Sequence, residues 1–377
     1  MIRYFGYPVE EHEVFTEDGY ILTLHRIPHG LDENSHEKGR PVAFLGHCLV
    51  GSSAIWTFGP RDNSLGYMLA DAGYDVWMIN IRGNSFSKKH KWLDSCPTCS
   101  EFWSFGFDES ARLDYSATID YILDQTGQSQ VYFVGYSMGT TQYLILLSEM
   151  PEYNAKIKAG FLLGPSALVG NATNPLVNLA DQAELLQSVF QLLGMDEFMP
   201  NFLEVKSNLA HKICRSSYLH SLMCRNLWAL IVNSDPSHIN PEAVPTYLSQ
   251  LPAGASTTTF VHYAQLFRSG GKFQKFDYGA LKNIVVYGSS IPPEYDLSQV
   301  QAPTMLYVGD ADGFAGPQDT QLLAESLPNL IGHEIVPRKG WSHLDFVTAA
   351  NAGDLVYKDI INRMNSLNFC HMKDECE

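Results

Sequence analysis

Along most of the chain, short apolar runs bounded by glycine, asparagine or aspartate alternate with stretches whose apolar residues recur at helical spacing. Residues 11–16 and 21–28 predict two strands joined by a turn at Asp18-Gly19, a hairpin signal. Residues 41–47 (PVAFLGH) predict a buried strand, and the mostly small residues Cys48-Leu49-Val50-Gly51-Ser52-Ser53 after it predict a loop that approaches a ligand closely. A helix follows over 64–70, with Ser64 as N-cap and Gly73 as the stop. Next come a strand over 74–80, a turn at Arg82-Gly83-Asn84 and a helix from Phe107 to Asp124 with apolar Leu113, Ala117, Ile119, Tyr121 and Ile122. Residues 131–136 and 157–163 add two more strands. Strands alternating with helices imply an α/β fold, a parallel sheet covered on both faces.

From 167 to 295 the alternation lapses. Segments 176–193 and 224–232 are helical in pattern and rich in large apolar residues, including Phe190, Leu192, Leu193, Phe198, Met199, Phe202, Trp228 and Ile231. A structureless loop of that length is improbable in a compact chain, so the expectation is an inserted helical cap, with 1–166 and 296–377 forming the two parts of the core. Residues 303–308 and 333–337 restore two strands, and 351–366 predict a terminal helix.

The strand over 131–136 ends in Gly135-Tyr136-Ser137-Met138-Gly139, and the helical stretch TTQYLILLSEM follows. Small residues on both sides of a serine permit a sharp strand-to-helix turn that lifts its hydroxyl out of the sheet, while the first helical amides point toward a developing negative charge. An acyl-transfer nucleophile needs that geometry, whereas the bland alternative is an exposed turn serine. In such a sheet the acid and base lie on loops after the last strands, in the order serine, acid, histidine. Gly309-Asp310-Ala311-Asp312-Gly313 and Gly340-Trp341-Ser342-His343 occupy those loops. The pattern therefore nominates Ser137 as nucleophile, His343 as base and Asp312 as acid, with Asp310 competing for the last role. His333 falls within a predicted strand and His371 in the polar tail.

Charge excludes one class of partner. With 25 basic and 41 acidic residues the formal net charge is −16, which repels a phosphate backbone, so nucleic acid is not an expected partner. No apolar run reaches the roughly 18 residues of a membrane span. Met1-Ile2-Arg3 leads straight into Tyr4-Phe5-Gly6-Tyr7-Pro8 without a signal-peptide pattern, so the expectation is a chain whose secretory segment has been removed or was never made. At 377 residues and 45% hydrophobic composition, the chain is long enough to bury a large core.

Seven cysteines are too few for a disulfide-dense scaffold and too scattered for a zinc site. Cys96 and Cys99 form a C-x-x-C in a predicted loop without a second pair at ligand spacing. Cys214 and Cys224 enclose a short segment whose closure contributes about 3 kcal/mol in an oxidising compartment. Cys370 and Cys376 pair or stay free, and Cys48 is the candidate for the odd thiol. Asn171-Ala172-Thr173 is an N-glycosylation acceptor by pattern, relevant only if the chain is secreted.

The stretches RYFGYPVEEHEV, TEDGYIL, NSLGYMLADAGYDVWMINIRGN, EFWSFGFDE, GYSMGTT, PAGAST, GKFQKFDYG, GPQD and SHLDF, in this order over nearly the whole chain, resemble the acid lipase family of the gastric and lysosomal lipases. That resemblance implies an α/β-hydrolase fold with a cap, a triad of Ser137, Asp312 and His343, and an oxyanion hole made by the backbone N–H groups of Leu49 and Met138. It also implies a Cys214–Cys224 disulfide, a secreted or lysosomal location, and action at a lipid–water interface on neutral lipid esters such as triacylglycerol or sterol esters. Neither a metal nor an organic cofactor is needed. The chain departs from the family in having Cys48 where His-Gly-Leu is usual, and Tyr136 and Met138 where Gly-His-Ser-Gln-Gly is frequent. Main-chain donors survive the change at Met138, but a side chain at Cys48 bears on the Leu49 amide and the substrate range. An acidic working pH is a further expectation from the resemblance, and protonating all 13 histidines would take the charge from −16 to −3. The rival expectations are a silent lipid carrier on the same scaffold and an esterase for small soluble esters.

Overall fold

The computed structural model describes residues 1–31, 39–174, 177, 189, 196–199, 212–214 and 217–373. Its centre is a nine-stranded sheet of β1 (Glu10–Phe15), β2 (Tyr20–Ile27), β3 (Val42–Gly46), β4 (Asp75–Met78), β5 (Lys89–His90), β6 (Val131–Tyr136), β7 (Ile157–Leu163), β10 (Thr304–Val308) and β11 (Leu330–Ile335). Two short strands, β8 (Glu197–Phe198) and β9 (Ala255–Ser256), pair antiparallel outside it. The strand order is β1-β2-β4-β3-β6-β7-β10-β11, with β5 beside β2. β1, β2 and β5 make antiparallel contacts, and every pairing from β4 to β11 is parallel.

Burial on both faces explains why the central strands read as continuous apolar runs. Val131 and Phe133 of β6 face one core cluster, with Phe44, Trp77, Leu144 and Leu306. Tyr132, Val134 and Tyr136 face the other, with Trp56, Tyr67, Phe161, Tyr307 and Met364. Because β3, β6, β7, β10 and β11 run in parallel, their carboxyl ends share one edge of the sheet. The loops leaving that edge carry the residues nominated from sequence.

Several boundaries differ from expectation for identifiable reasons. β11 starts at Leu330 rather than 333, because parallel pairing of Thr304 with Leu330 through Val308 with Ile335 defines it, and its half-exposed edge residues carry no clear apolar signal. The helix expected from Phe107 continues to Thr126 through a wider π turn at Ser110–Tyr115. Ser64 precedes the helix Leu65–Asp71 without capping it, since its hydroxyl accepts from the Gly59 amide at 2.9 Å instead. The terminal helix extends through Lys358–Lys373. The helix expected over 176–193 lies largely outside the described residues, as do Phe190, Leu192, Leu193 and Phe202. Between β7 and β10 the described helices are Tyr218–Val232, Val244–Gln250, Thr257–Arg268 and Ala280–Tyr287.

Cys214 and Cys224 are joined by a disulfide. So are Cys96 and Cys99, a pairing that the C-x-x-C spacing alone does not announce. Cys48 is a free, buried thiol, and Cys376 lies outside the described residues.

The turn after β4 rests on a buried guanidinium. Arg82 Nε donates to Asp114 Oδ1 at 2.7 Å, its amide donates to Asp114 Oδ2 at 2.9 Å, and its two terminal nitrogens donate to Asp18 at 2.6 and 3.0 Å. The Tyr20 ring lies 4.0 Å from the guanidinium carbon. Removing Asp114 leaves the buried guanidinium with Asp18 as its remaining carboxylate partner and its Nε–H without an acceptor. Asp114→Ala is therefore expected to lower unfolding free energy by about 3–5 kcal/mol, read as a lower urea midpoint at constant slope.

Candidate active site

Ser137 joins the end of β6 to the helix Met138–Glu149 with φ 53° and ψ −117°, a conformation few non-glycine residues adopt. The turn is held by its surroundings. The Ser137 amide donates to Leu163 O at 3.0 Å, and the Ser137 carbonyl accepts from the Thr140 amide at 2.8 Å and the Thr140 hydroxyl at 2.6 Å. Two residues on, a Cβ at Gly139 would come within 2.4 Å of Gly46 O, so only glycine lets the helix start this close to the end of β3. The Met138 amide, at the first helical position, is one of the N–H groups that a helix leaves without an internal acceptor.

Three loops from different strands bring Ser137, Asp312 and His343 together. His343 Nε2 lies 2.7 Å from Ser137 Oγ, and His343 Nδ1 lies 2.7 Å from Asp312 Oδ2. Asp312 Oδ1 accepts from the amides of Phe314 and Ala315, both at 2.9 Å, which fixes the carboxylate plane. With Nδ1–H donating to the carboxylate, Nε2 is left as the acceptor for the serine hydroxyl. All three residues are buried.

Asp310, the competing acid, does something else. Its carboxylate accepts from the amides of Trp341 at 2.8 Å and Gly340 at 3.1 Å, tying the loop after β10 to the loop that carries His343. His333 sits on β11 with Nε2 3.3 Å from the Thr320 hydroxyl.

The loop after β3 is set by a second histidine. His47 Nε2 receives the Ile81 amide at 3.3 Å and the Asn84 side-chain amide at 3.2 Å. A backbone N–H can only donate, so Nε2 is the acceptor and Nδ1 carries the proton, which goes to Cys48 O at 2.8 Å. Cys48 O also accepts from the Gly51 amide at 3.0 Å. Peptide planarity then turns the Leu49 N–H to the opposite edge of the same peptide unit. Val50 follows at φ 51°, its carbonyl accepting from the Ala253 amide at 2.6 Å. Burial lowers the His47 pKa to about 4, so the ring keeps its neutral tautomer in mild acid. Burial also pushes the Cys48 thiol up to about 12; its sulfur packs over Gly51, where a Cβ would come within 2.8 Å of it.

Asn171 of the glycosylation pattern sits beside the loop of Asp312. Its side-chain amide donates to Asp319 Oδ1 at 2.7 Å, and the amides of Thr173 and Asn174 both donate to Gly313 O. Among the described residues no group of three or more His, Cys, Asp or Glu side chains is arranged to hold a metal ion.

Residues 1–59 match the family described as partial alpha/beta-hydrolase lipase region, and residues 44–349 match alpha/beta hydrolase fold. Lipase 3 of Drosophila melanogaster is 43% identical over 362 residues, covering 96% of this chain and 91% of its own. The human lysosomal acid lipase/cholesteryl ester hydrolase is 41% identical over 365 residues, covering 97% and 89%, and human gastric triacylglycerol lipase 40% over 368 residues, covering 97% and 90%. The chain belongs to the acid lipase family of α/β-hydrolases. Remote structures share the fold alone. An esterase from Thermogutta terrifontis has a TM-score of 0.51 at 14% identity, covering 95% of this chain and 99% of its own. An epoxide hydrolase from Vigna radiata has 0.52 at 16%, covering 95% and 98%.

For this acid lipase the sequence reading overlooked Gly164, at the end of β7 with φ 53°. A Cβ there would lie 3.1 Å from His343 Nδ1 and 3.2 Å from Asp312 Oδ2, so the bare backbone makes room for the histidine–aspartate contact. A glycine closing an apolar strand run was the available signal. Gly164→Ala is expected to lower kcat by roughly 10- to 100-fold, since a displacement of about 1 Å at reacting groups is enough for that loss. In the loop after β3, His47→Phe frees the Cys48–Leu49 peptide and is expected to lower kcat by roughly 10- to 100-fold with KM within about twofold of wild type. Steady-state kinetics on purified, folded variants checks both.

Proposed function

We propose that this acid lipase hydrolyses neutral lipid carboxylic esters, triacylglycerol or sterol ester, through an acyl-enzyme on Ser137. The observation that carries the reading is the pair of 2.7 Å contacts running Ser137–His343–Asp312. In this mechanism His343 takes the Ser137 proton as Oγ attacks the ester carbonyl, and Asp312 keeps the imidazole in the right tautomer and stabilises its charged form. The Leu49 and Met138 amides hold the oxyanion of the tetrahedral intermediate. His343 returns its proton to the leaving alcohol, then activates the water that releases the fatty acid. Each oxyanion donor is worth roughly 100- to 1000-fold in rate, and this one rests on a peptide held by His47.

In this reading 167–295 forms a cap over Ser137, between the two parts of the core. The helix Tyr218–Val232 exposes Leu219 (66%), Met223 (60%), Leu227 (57%) and Leu230 (79%) along one stripe, which supports contact with a lipid–water interface. The names of the relatives, lysosomal and gastric lipases, support the substrate class and a secreted or lysosomal location. The Cys96–Cys99 and Cys214–Cys224 disulfides suit an oxidising compartment. A silent carrier has no use for a serine, histidine and aspartate in hydrogen-bond register, and an esterase for soluble substrates has no use for the apolar stripe.

The test compares emulsified long-chain triacylglycerol and cholesteryl ester with a dissolved short-chain ester. Turnover on the emulsions above the solubility limit, lost by about 10⁴-fold or more in Ser137→Ala, is expected. Hydrolysis confined to dissolved short-chain esters, or unchanged in Ser137→Ala, would overturn the proposal.

A further inference from the structure

The turn that presents His343 is clamped by Asp345, two residues further on, whose carboxylate is fully buried. Asp345 Oδ2 accepts from the Ser342 amide at 2.7 Å, and the Asp345 amide donates back to Ser342 O at 3.2 Å. The side-chain contact closes one half of a capping-box pattern, and the return bond goes to the Ser342 backbone carbonyl, so together they close a tight turn around the residue that carries the imidazole. The same carboxylate receives two further groups, both from the segment between β7 and β10. His238 Nδ1 lies 2.9 Å from Oδ2, and the Ser234 hydroxyl donates to Oδ1 at 2.5 Å.

That segment is also joined to the turn's continuation, since the Ala350 amide donates to His238 O at 2.7 Å and Ile239 bridges to Ala349. On the opposite side, the His343 carbonyl accepts from the Tyr136 hydroxyl at 3.0 Å, and Tyr136 immediately precedes Ser137. A buried carboxylate is costly unless its oxygens are satisfied, and three donors converge on this one. A hydrophobic residue would fill the space without that cost, so the carboxylate's value lies in what it holds.

We infer that Asp345 is a positioning residue for His343, and that His238 and Ser234 brace it from the segment between β7 and β10, so that this segment also sets the angle of the base. The inference rests on the reading of His343 as the general base. Asp345 touches neither substrate nor reacting atoms and acts only through the Ser342–His343 backbone. The surroundings also predict which substitution is tolerated. In Asp345→Asn the amide oxygen still accepts from Ser342 and His238, and the new NH₂ faces the Ser234 hydroxyl, which can accept.

The experiment is a double-substitution cycle on the full chain with an emulsified long-chain ester. Asp345→Ala is expected to lower kcat by roughly 10- to 100-fold with KM within about twofold. Asp345→Asn is expected to lose less than about threefold, and His238→Leu about 3- to 10-fold. In a His343→Ala background the further change Asp345→Ala should leave the residual rate unaltered. A loss of equal size in that background, or a rise in KM at constant kcat, would overturn the inference. Should Asp345→Ala fail to fold, the same cycle with His238→Leu decides it by the same criteria. If His343→Ala itself keeps wild-type turnover, the mechanism proposed above fails instead, which separates the two.

Discussion

The constraint on which the site depends is that a non-glycine residue, Ser137, sits at φ 53° and ψ −117°. A conformation of that kind costs on the order of 1–3 kcal/mol and persists only where the surroundings over-determine it. Here they do. The amide of Ser137 is held by the end of β7, its carbonyl by Thr140 one helical turn ahead, and the helix behind it is pressed against the end of β3 through the bare backbone of Gly139. The elbow thus depends on three neighbouring parallel strands, and the large core clusters on the two sheet faces keep those strands in register.

The same constraint organises the partners. Parallel strands place their carboxyl ends along one edge, so loops separated by nearly the whole chain meet there. Carboxylates then lock those loops to each other. Asp310 holds the amides of Gly340 and Trp341, Asp345 holds that of Ser342, and Asp312 is left free to face the imidazole. His47 does for the loop after β3 what these aspartates do for the loop of His343. Its burial keeps it neutral in mild acid, so the peptide carrying the Leu49 amide stays fixed there.

What could be read from sequence follows the range of the interactions involved. The elbow at Ser137 is local: an apolar strand, small residues and a helix within a short stretch of chain, all visible as pattern. Asp312 and His343 were legible because they follow strands at the edge where a parallel sheet gathers its loops. The choice between Asp310 and Asp312 rests on how the loop folds back toward Trp341, which no periodicity carries. Gly164 and His238 make their telling contacts with residues remote in sequence, and Asp345 adds such contacts to its local one with Ser342, so they read as an ordinary glycine, a loop histidine and a helix-start aspartate. β11 was misplaced because an edge strand is defined by backbone pairing rather than by apolar alternation. The Cys96–Cys99 bond was missed because spacing alone does not distinguish a disulfide from a loop with two thiols.

The most direct test of the account is to catch the covalent intermediate. The enzyme is mixed for milliseconds with a long-chain p-nitrophenyl ester, quenched in acid, digested and mapped by mass spectrometry. The account predicts one acylated peptide, the one containing Ser137, with the added mass of the fatty acyl group and an amount matching the initial burst of p-nitrophenol. Rapid ester hydrolysis with no acyl group on that peptide, or with the group on another residue, would contradict it.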